Sequence, residues 1–559
     1  MNSKKYTIPT ILCLALLMAL AWLAVPPLAA QASADPQQAP DPALAYLQTQ
    51  QQPDGGILGF SGVSDPDTSA RTALALALHG LPADALTSAE GGTLPAYLAG
   101  QAAAYVHDEN GLLFPGRAGL LLSAASIANP EATPLGGVDL AAELEASFQP
   151  ASGAYSTTAS QDWSSGAASD LGQAWAILGL SLAGRPVPIQ ATTYLSGTQS
   201  ADGSWGAGDP DTTALVVVAL LSSRNLGPAD SRIQDALNFF KTTQLPNGGW
   251  RPAWDTDPLN ADTTGWVLQA IRAAGQDPAA WSAAEGDPLS ALLGMQKEDG
   301  SIGGTYVNAY STADALIGLG EPLTAFLPQA PGSHAALLVQ YSSGERFTAC
   351  VPFSSDALTG LELLQLAGLP LETVTDPALG TAACGIGGVG CPASDCFCGM
   401  PDYWSYWQPS AEGWAYAVAG MDQNLAQDGS LQAWVWGGGD PPQDLGADAF
   451  AQVCPYLGRG DTAGGDAASA APTAYPEPAV VVPVIAEVAY PEPGLTAPAA
   501  TLTPTPEPAL PTALPTDAPT TEPEQAVEKS QPVAAYLAFA GLAGILGAAL
   551  LILRRKERS

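Results

Sequence analysis

The chain has 559 residues, with 54 Asp and Glu against 18 Lys and Arg, for a formal net charge of −36. That balance excludes the basic face with which proteins displace counterions from nucleic acid, and it disfavours docking of an ectodomain on anionic lipid. It suits a soluble, self-repelling surface protein.

At the N-terminus Lys4 and Lys5 precede an apolar run from about Ile8 to Val25, followed by Ala29, Ala30 and Ala32. This is the layout of a secretory signal peptide, so residues 1–32 are expected to be removed near Ala30 or Ala32; an uncleaved anchor is the alternative. Either way the chain that follows leaves the cytosol.

Residues 41–328 repeat. The clearest copies are QQPDGGILGF at Gln51, QSADGSWGAG at Gln199, QLPNGGWRPAW at Gln244 and QKEDGSIGG at Gln296, with degenerate copies around Gly111 and Gly153. The series Gly55, Gly111, Gly153, Gly203, Gly248 and Gly300 steps by about 50 residues and defines six units. After each turn comes a stretch rich in Ala, Leu and Val, such as DTTALVVVALLSS, apolar on nearly every side as a helix buried among helices must be. A more amphipathic helix, such as DSRIQDALNFFKTTQ, precedes the turn. The Asp-Thr or Ser-Thr opening several inner helices reads as an N-cap. Six such pairs are expected to close into an (α/α)6 toroid, because closure leaves no unburied end.

The QxxDGSW turn followed by a DxDT-A helix resembles the repeat of the terpenoid cyclase and protein prenyltransferase toroid superfamily. The copy QSADGSWGAGDPDTTALVVVAL carries the resemblance best, and the likeness covers about half the chain. A zinc-dependent prenyltransferase needs Cys and His ligands, yet residues 41–328 contain no Cys and only His79 and His107. The cysteine of thioester toroids is missing for the same reason. Class II terpene cyclases protonate an alkene with the middle Asp of DxDD. Here DPDT occurs twice, so Asp67 and Asp211 match that Asp while Thr68 and Thr212 replace the last one. The competing reading makes these aspartates helix caps, and the balance falls on a protein that is not an enzyme; a terpene cyclase-like enzyme using Asp211 or Asp67 is the alternative.

Residues 334–460 hold the remaining ectodomain cysteines, Cys350, Cys384, Cys391, Cys396, Cys398 and Cys454. An even set in an exported domain reads as three disulfides, with fifteen pairings open; a zinc site at CPASDCFC is the other reading. HAALLVQYSSGERFTACVPF alternates like a hairpin, SSDALTGLELLQLAG reads as a helix, and short strands follow through IGGVG, DYWSYWQP, GWAYAVAG and DGSLQAWVWGG. The layout is that of a β-grasp-like α+β domain. Alternation sends Trp404 and Trp407 to opposite faces, which a one-sided core cannot bury.

The order of hairpin, helix, IGGVG, YWSYW, GW and DGSLQAWVW resembles the C-terminal β-domain of transcobalamin and intrinsic factor, which also follows an (α/α)6 barrel. The resemblance implies a corrinoid held between barrel and β-domain, with Tyr403, Trp404, Trp407, Trp414, Trp434 and Trp436 as the ligand-contacting positions. No cobalt-ligating His is assignable, and no metal or required cofactor is expected; cobalamin enters as a ligand.

Residues 471–531 are dominated by Pro, Thr, Ala and Glu, a linker that could extend to roughly 190 Å at about 3.1 Å per residue. Residues 532–553 form an apolar run long enough to cross a hydrocarbon core of about 30 Å, and Arg554, Arg555, Lys556 and Arg558 mark the cytoplasmic side in the tail 554–559. The whole reads as an exported single-pass membrane protein whose ectodomain captures a small molecule. A structural or adhesive surface module is a further alternative, and any partner transporter is not legible.

Overall fold

The computed structural model describes residues 40–457, apart from 129–133, 158–168, 411–412, 444 and 447. The expected signal peptide, linker, membrane span and basic tail lie outside the described residues; within them no helix is long and apolar enough to cross a membrane.

Twelve helices alternate between an outer and an inner layer: α1 (Pro40–Gln50), α2 (Pro66–Leu78), α3 (Leu94–Val106), α4 (Pro115–Ala128), α5 (Leu140–Ser147), α6 (Asp170–Leu182), α7 (Ile189–Gly197), α8 (Pro210–Ser222), α9 (Ser231–Thr243), α10 (Ala261–Ala273), α11 (Pro288–Leu293) and α12 (Ala309–Leu319). Each even-numbered helix packs on the next, and α12 returns to pack on α2, so the inner ring closes. Sequence chemistry sorts the layers. In α8 every residue from Thr212 to Ser222 is buried, whereas α9 buries Ile233, Ala236, Leu237, Phe239 and Phe240 and turns its charged side outward. Where α4 meets α6 the backbones touch. A Cβ on Gly119 would lie 2.2 Å from the Trp175 carbonyl oxygen, and one on Gly179 would lie 2.5 Å from that of Gly119. Neither position tolerates a side chain.

The repeat motif explains itself in hydrogen bonds. The six turn glycines all have positive φ, between 76° and 97°. The leading glutamine closes the turn, since Gln51, Gln199 and Gln244 donate Nε2 to the carbonyls of Gly55, Gly203 and Gly248 at 3.0, 2.9 and 2.8 Å. A hydroxyl in the first inner turn then ties the turn to the following helix: Ser69, Thr213, Thr264 and Thr312 accept from the backbone N–H of Ile57, Trp205, Trp250 and Ile302.

The second domain is built on a five-stranded mixed sheet. Its strands are β1 (Ser333–Gln340), β2 (Arg346–Phe353), β6 (Tyr403–Ser410), β7 (Gly413–Tyr416) and β8 (Leu431–Gly437), in the order β7-β6-β8-β1-β2. The hairpin β1–β2 leads to α13 (Gly360–Leu366) and a three-stranded sheet of β3 (Leu371–Asp376), β4 (Gly380–Ile386) and β5 (Val389–Gly390). The chain then returns so that β8 runs parallel to β1. Cys350 pairs with Cys454, Cys384 with Cys396 and Cys391 with Cys398, which leaves no thiolate at CPASDCFC to hold zinc.

The sheet is covered on both faces, so the two tryptophans that alternation sends apart are both buried. Trp404, Tyr406 and Trp434 pack with Leu363, Leu364 and Ile386 on one side. Trp407 packs with Val453 and Cys454 on the other, beneath α14 (Ala449–Val453). Alternation along YWSYW does separate Trp404 from Trp407, but each finds its own core.

Candidate functional site

The inner helices end their first turns around an axial cavity of about 530 Å³. Aromatic walls come from Phe60, Trp175, Trp254, Trp266 and Tyr310, and Leu171 and Leu215 add aliphatic surface. Into this apolar space project Asp67, Asp211, Asp262 and Asp314, with Arg71 the single basic side chain among the described lining residues.

The helix-cap reading of Asp67 and Asp211 needs correction. Asp65 and Asp209, two residues earlier, are the N-caps: their carboxylates accept from the backbone N–H of Thr68 at 2.8 Å and of Thr212 at 3.0 Å. The Thr68 and Thr212 hydroxyls donate to the same carboxylates at 2.7 and 2.6 Å. The threonines that replace the last acid of DxDD thus complete the cap. The following aspartate is freed to turn inward. Asp262 takes the equivalent place on α10, behind the Asn260 cap.

Two different carboxyl environments result. Arg71 donates Nε to Asp67 at 2.7 Å and Nη1 to both oxygens of Asp314 at 2.9 and 2.8 Å, joining α2 to α12 across the ring closure. Tyr105 donates to Asp67 at 3.1 Å and Trp266 Nε1 to Asp314 at 2.9 Å. The guanidinium also lies 4.4 Å from the Tyr310 ring centre and 5.5 Å from that of Trp175, a cation held against aromatic faces. Asp211 and Asp262 have no such partner, and one carboxyl oxygen of each is buried without a hydrogen bond.

The electrostatics follow. Burial first, then the carboxyls of Asp209 and Asp262, push Asp211 well above the usual carboxylate range, against a hydrogen bond from Thr263. Burial first and then Asp314 push Asp262 up to about 7, against Arg71. Folding therefore takes up a proton at Asp262 between its ordinary value near 3.8 and about 7, and stability falls as pH rises through that window. Asp262→Asn should raise unfolding free energy at pH 8 by about 1–2 kcal/mol, allowing for water that reaches the cavity, and change little at pH 4. Urea denaturation at the two pH values checks this; an equal gain at both would contradict it.

The aromatic residues singled out in the β-domain lie elsewhere. Trp404, Trp407 and Trp434 are buried, and Tyr403, Trp414 and Trp436 are half-buried. Tyr406 stacks on Trp434 with ring centres 4.4 Å apart, Trp404 meets Trp436 at 5.6 Å, and Trp404 Nε1 donates to the Val389 carbonyl at 3.0 Å. None of the six lines the axial cavity. None lines a recess of about 170 Å³ shared by the two domains, where Arg185, Arg224, Asn225, His334 and Pro352 meet.

The domains are joined tightly beside that recess. The Cys350 N–H donates to the Asn225 carbonyl, and the fully buried Asp230 carboxylate accepts from Arg232 and from the Thr348 N–H at 2.8 Å. These contacts follow the C-terminal end of α8, whereas the axial cavity is lined from the opposite end of the same helix.

Fold and site together define a closed helical toroid joined to a disulfide-braced β-domain. No family model and no curated protein sequence matches the chain. Solved structures similar to it include the type II terpene cyclase MstE from Scytonema in its apo form, at 17% identity over 51% of this chain and 97% of that one, TM-score 0.38. A variant of that cyclase bound to geranylgeranyl dihydroxybenzoate matches at 16% identity over 51% and 96%, TM-score 0.37. Haptocorrin in complex with Cbi matches at 12% identity over 71% of this chain and 96% of that one, TM-score 0.34. Both kinds of protein that the sequence resembles are thus among the similar structures. The likeness is one of fold, and activity and ligand are argued from this chain's own residues.

Proposed function

We propose that the protein is a non-catalytic, surface-displayed receptor that binds a small molecule in the axial cavity of its toroid. The observation that carries this reading is the cavity itself: about 530 Å³, aromatic-walled, with two carboxyls that no basic side chain serves. Ligand pockets are concave, mostly apolar, about 300–1,000 Å³ in volume, and fixed by a few convergent polar groups. The recess between the domains, at about 170 Å³, falls below that range, so capture of cobalamin there would require the domains to part. Export fits three cystines, which persist in oxidising compartments. Anchoring through residues 532–553 on the linker 471–531 completes the proposal, with the β-domain as a brace rather than a lid.

A crystallographic fragment screen of the full-length protein tests the location. Fragments are expected in the axial cavity; hits confined to other surfaces would overturn the reading. Cobalamin passed over a sizing column with the protein checks the corrinoid version, which fails without co-eluting absorbance.

One observation favours a second reading. Asp211, the middle Asp of DPDT, has its carboxyl pushed well above the usual range by burial beside aromatic walls, the setting in which a carboxylic acid could protonate an alkene. Turnover of a polyprenyl substrate that disappears in Asp211→Asn would establish it in place of the receptor.

A further inference from the structure

We propose that the axial cavity selects organic cations, an ammonium group on an apolar body, and rejects anions of the same shape. This deepens the axial-cavity reading and rests on it.

The charge inventory carries the inference. Six carboxyls line the cavity, two of them, Asp65 and Asp209, serving as helix caps, and one guanidinium faces the others, already bonded to Asp67 and Asp314. Asp211 and Asp262 are surplus, and each keeps one oxygen without a partner. Two buried acids beside each other favour their protonated forms, and a positive charge between them offsets that preference. An entering ammonium supplies a counter-charge to the two carboxyls that Arg71 does not serve. An anion finds no free cation among the described lining residues, because Arg71 already serves Asp67 and Asp314.

The walls agree with the floor. Aromatic faces attract cations, and the cavity already uses its own in this way, with Arg71 against Tyr310 and Trp175. Two of the lining rings are also widely exposed, Phe60 at 76% and Trp254 at 73%. They stand on the loops ahead of α2 and α10, the two inner helices that flank α12. Thr305, ahead of α12, ties the loop of Trp254 in place by donating its N–H and hydroxyl to Asp257, both at 2.6 Å. Such rings suit the apolar part of a ligand whose charged end points inward.

Proton linkage gives a second signature. The groups facing Asp211 and Asp262 are Asp209, Asp255, Asp314, Arg71 and Thr263. A cation favours the ionised carboxyls, so its binding expels protons and tightens as pH rises through about 7. An alkylammonium, with a pKa near that of Lys at about 10.4, stays charged throughout.

The test uses three probes with one body: 1-adamantylamine, 1-adamantanol and 1-adamantanecarboxylate, titrated calorimetrically into the full-length protein. The amine is expected to bind at least tenfold more tightly than the alcohol at pH 8. The carboxylate should give no heat, and the amine should bind at least fivefold more tightly at pH 8 than at pH 5.5, with proton release seen as a buffer-dependent enthalpy. In Asp211→Asn with Asp262→Asn the amine's advantage over the alcohol should vanish. Equal binding of amine and alcohol, or no binding of the amine, overturns cation selectivity. The axial-cavity reading itself falls only with the fragment screen. The wild-type pH series stands as a second readout should the double variant fold poorly.

Discussion

Arg71→Leu is expected to lower unfolding free energy by about 3–5 kcal/mol, the range for stripping one partner from a buried ion pair. Arg71 and Asp314 are 5% and 1% exposed, and the guanidinium joins two inner helices while resting on aromatic faces. Without it Asp314 keeps only the Trp266 indole as a donor, and Asp67 only the Tyr105 hydroxyl. Adding Asp314→Asn should recover part of the loss, since an amide needs no counter-charge. Urea denaturation of the single and double variants measures both effects. A loss under about 1 kcal/mol in the single variant would mean that the carboxyls take up protons instead.

Removing the Cys350–Cys454 bridge as Cys350→Ala with Cys454→Ala is expected to cost about 3–5 kcal/mol. The bridge spans 104 residues and ties β2 to the segment that closes over the second face of the sheet. Loop-closure entropy for that length corresponds to about 4–5 kcal/mol in the chain-entropy model, against about 2–3 kcal/mol for the bridges spanning 12 and 7 residues. Denaturant titration of each double variant checks the order. A larger loss at Cys391–Cys398 than at Cys350–Cys454 would contradict the entropic account.

The toroid is legible because its repeat has a local cause at every position. Glycine is needed where φ is positive, glutamine closes the turn, and a hydroxyl ties the turn to the next helix. The axial site is less legible. In DPDT either Asp can cap by its spacing, and only the backbone decides that Asp209 caps while Asp211 faces inward. Asp314, on the second turn of α12, belongs to no motif, and its pairing with Arg71 joins residues 243 apart. A signal was nevertheless present in Asp67, Asp211 and Asp262, each followed by Thr at the same turn of an inner helix. In the β-domain, period-two alternation placed Trp404 and Trp407 correctly, but it carries no information about what covers each face. That cover comes from α13 and from α14, far off in sequence.

The seam between α12 and α2 also governs how the molecule comes into being. Neither lip of the seam has its neighbour until residue 319 has been delivered, so a chain emerging N-terminus first exists for most of its passage as an open crescent with greasy flanks. Such long-range closure is slow and exposes apolar surface meanwhile. Any truncation before Leu319 is therefore expected to yield insoluble material rather than a smaller ring, which the soluble fraction of the truncated chain would measure.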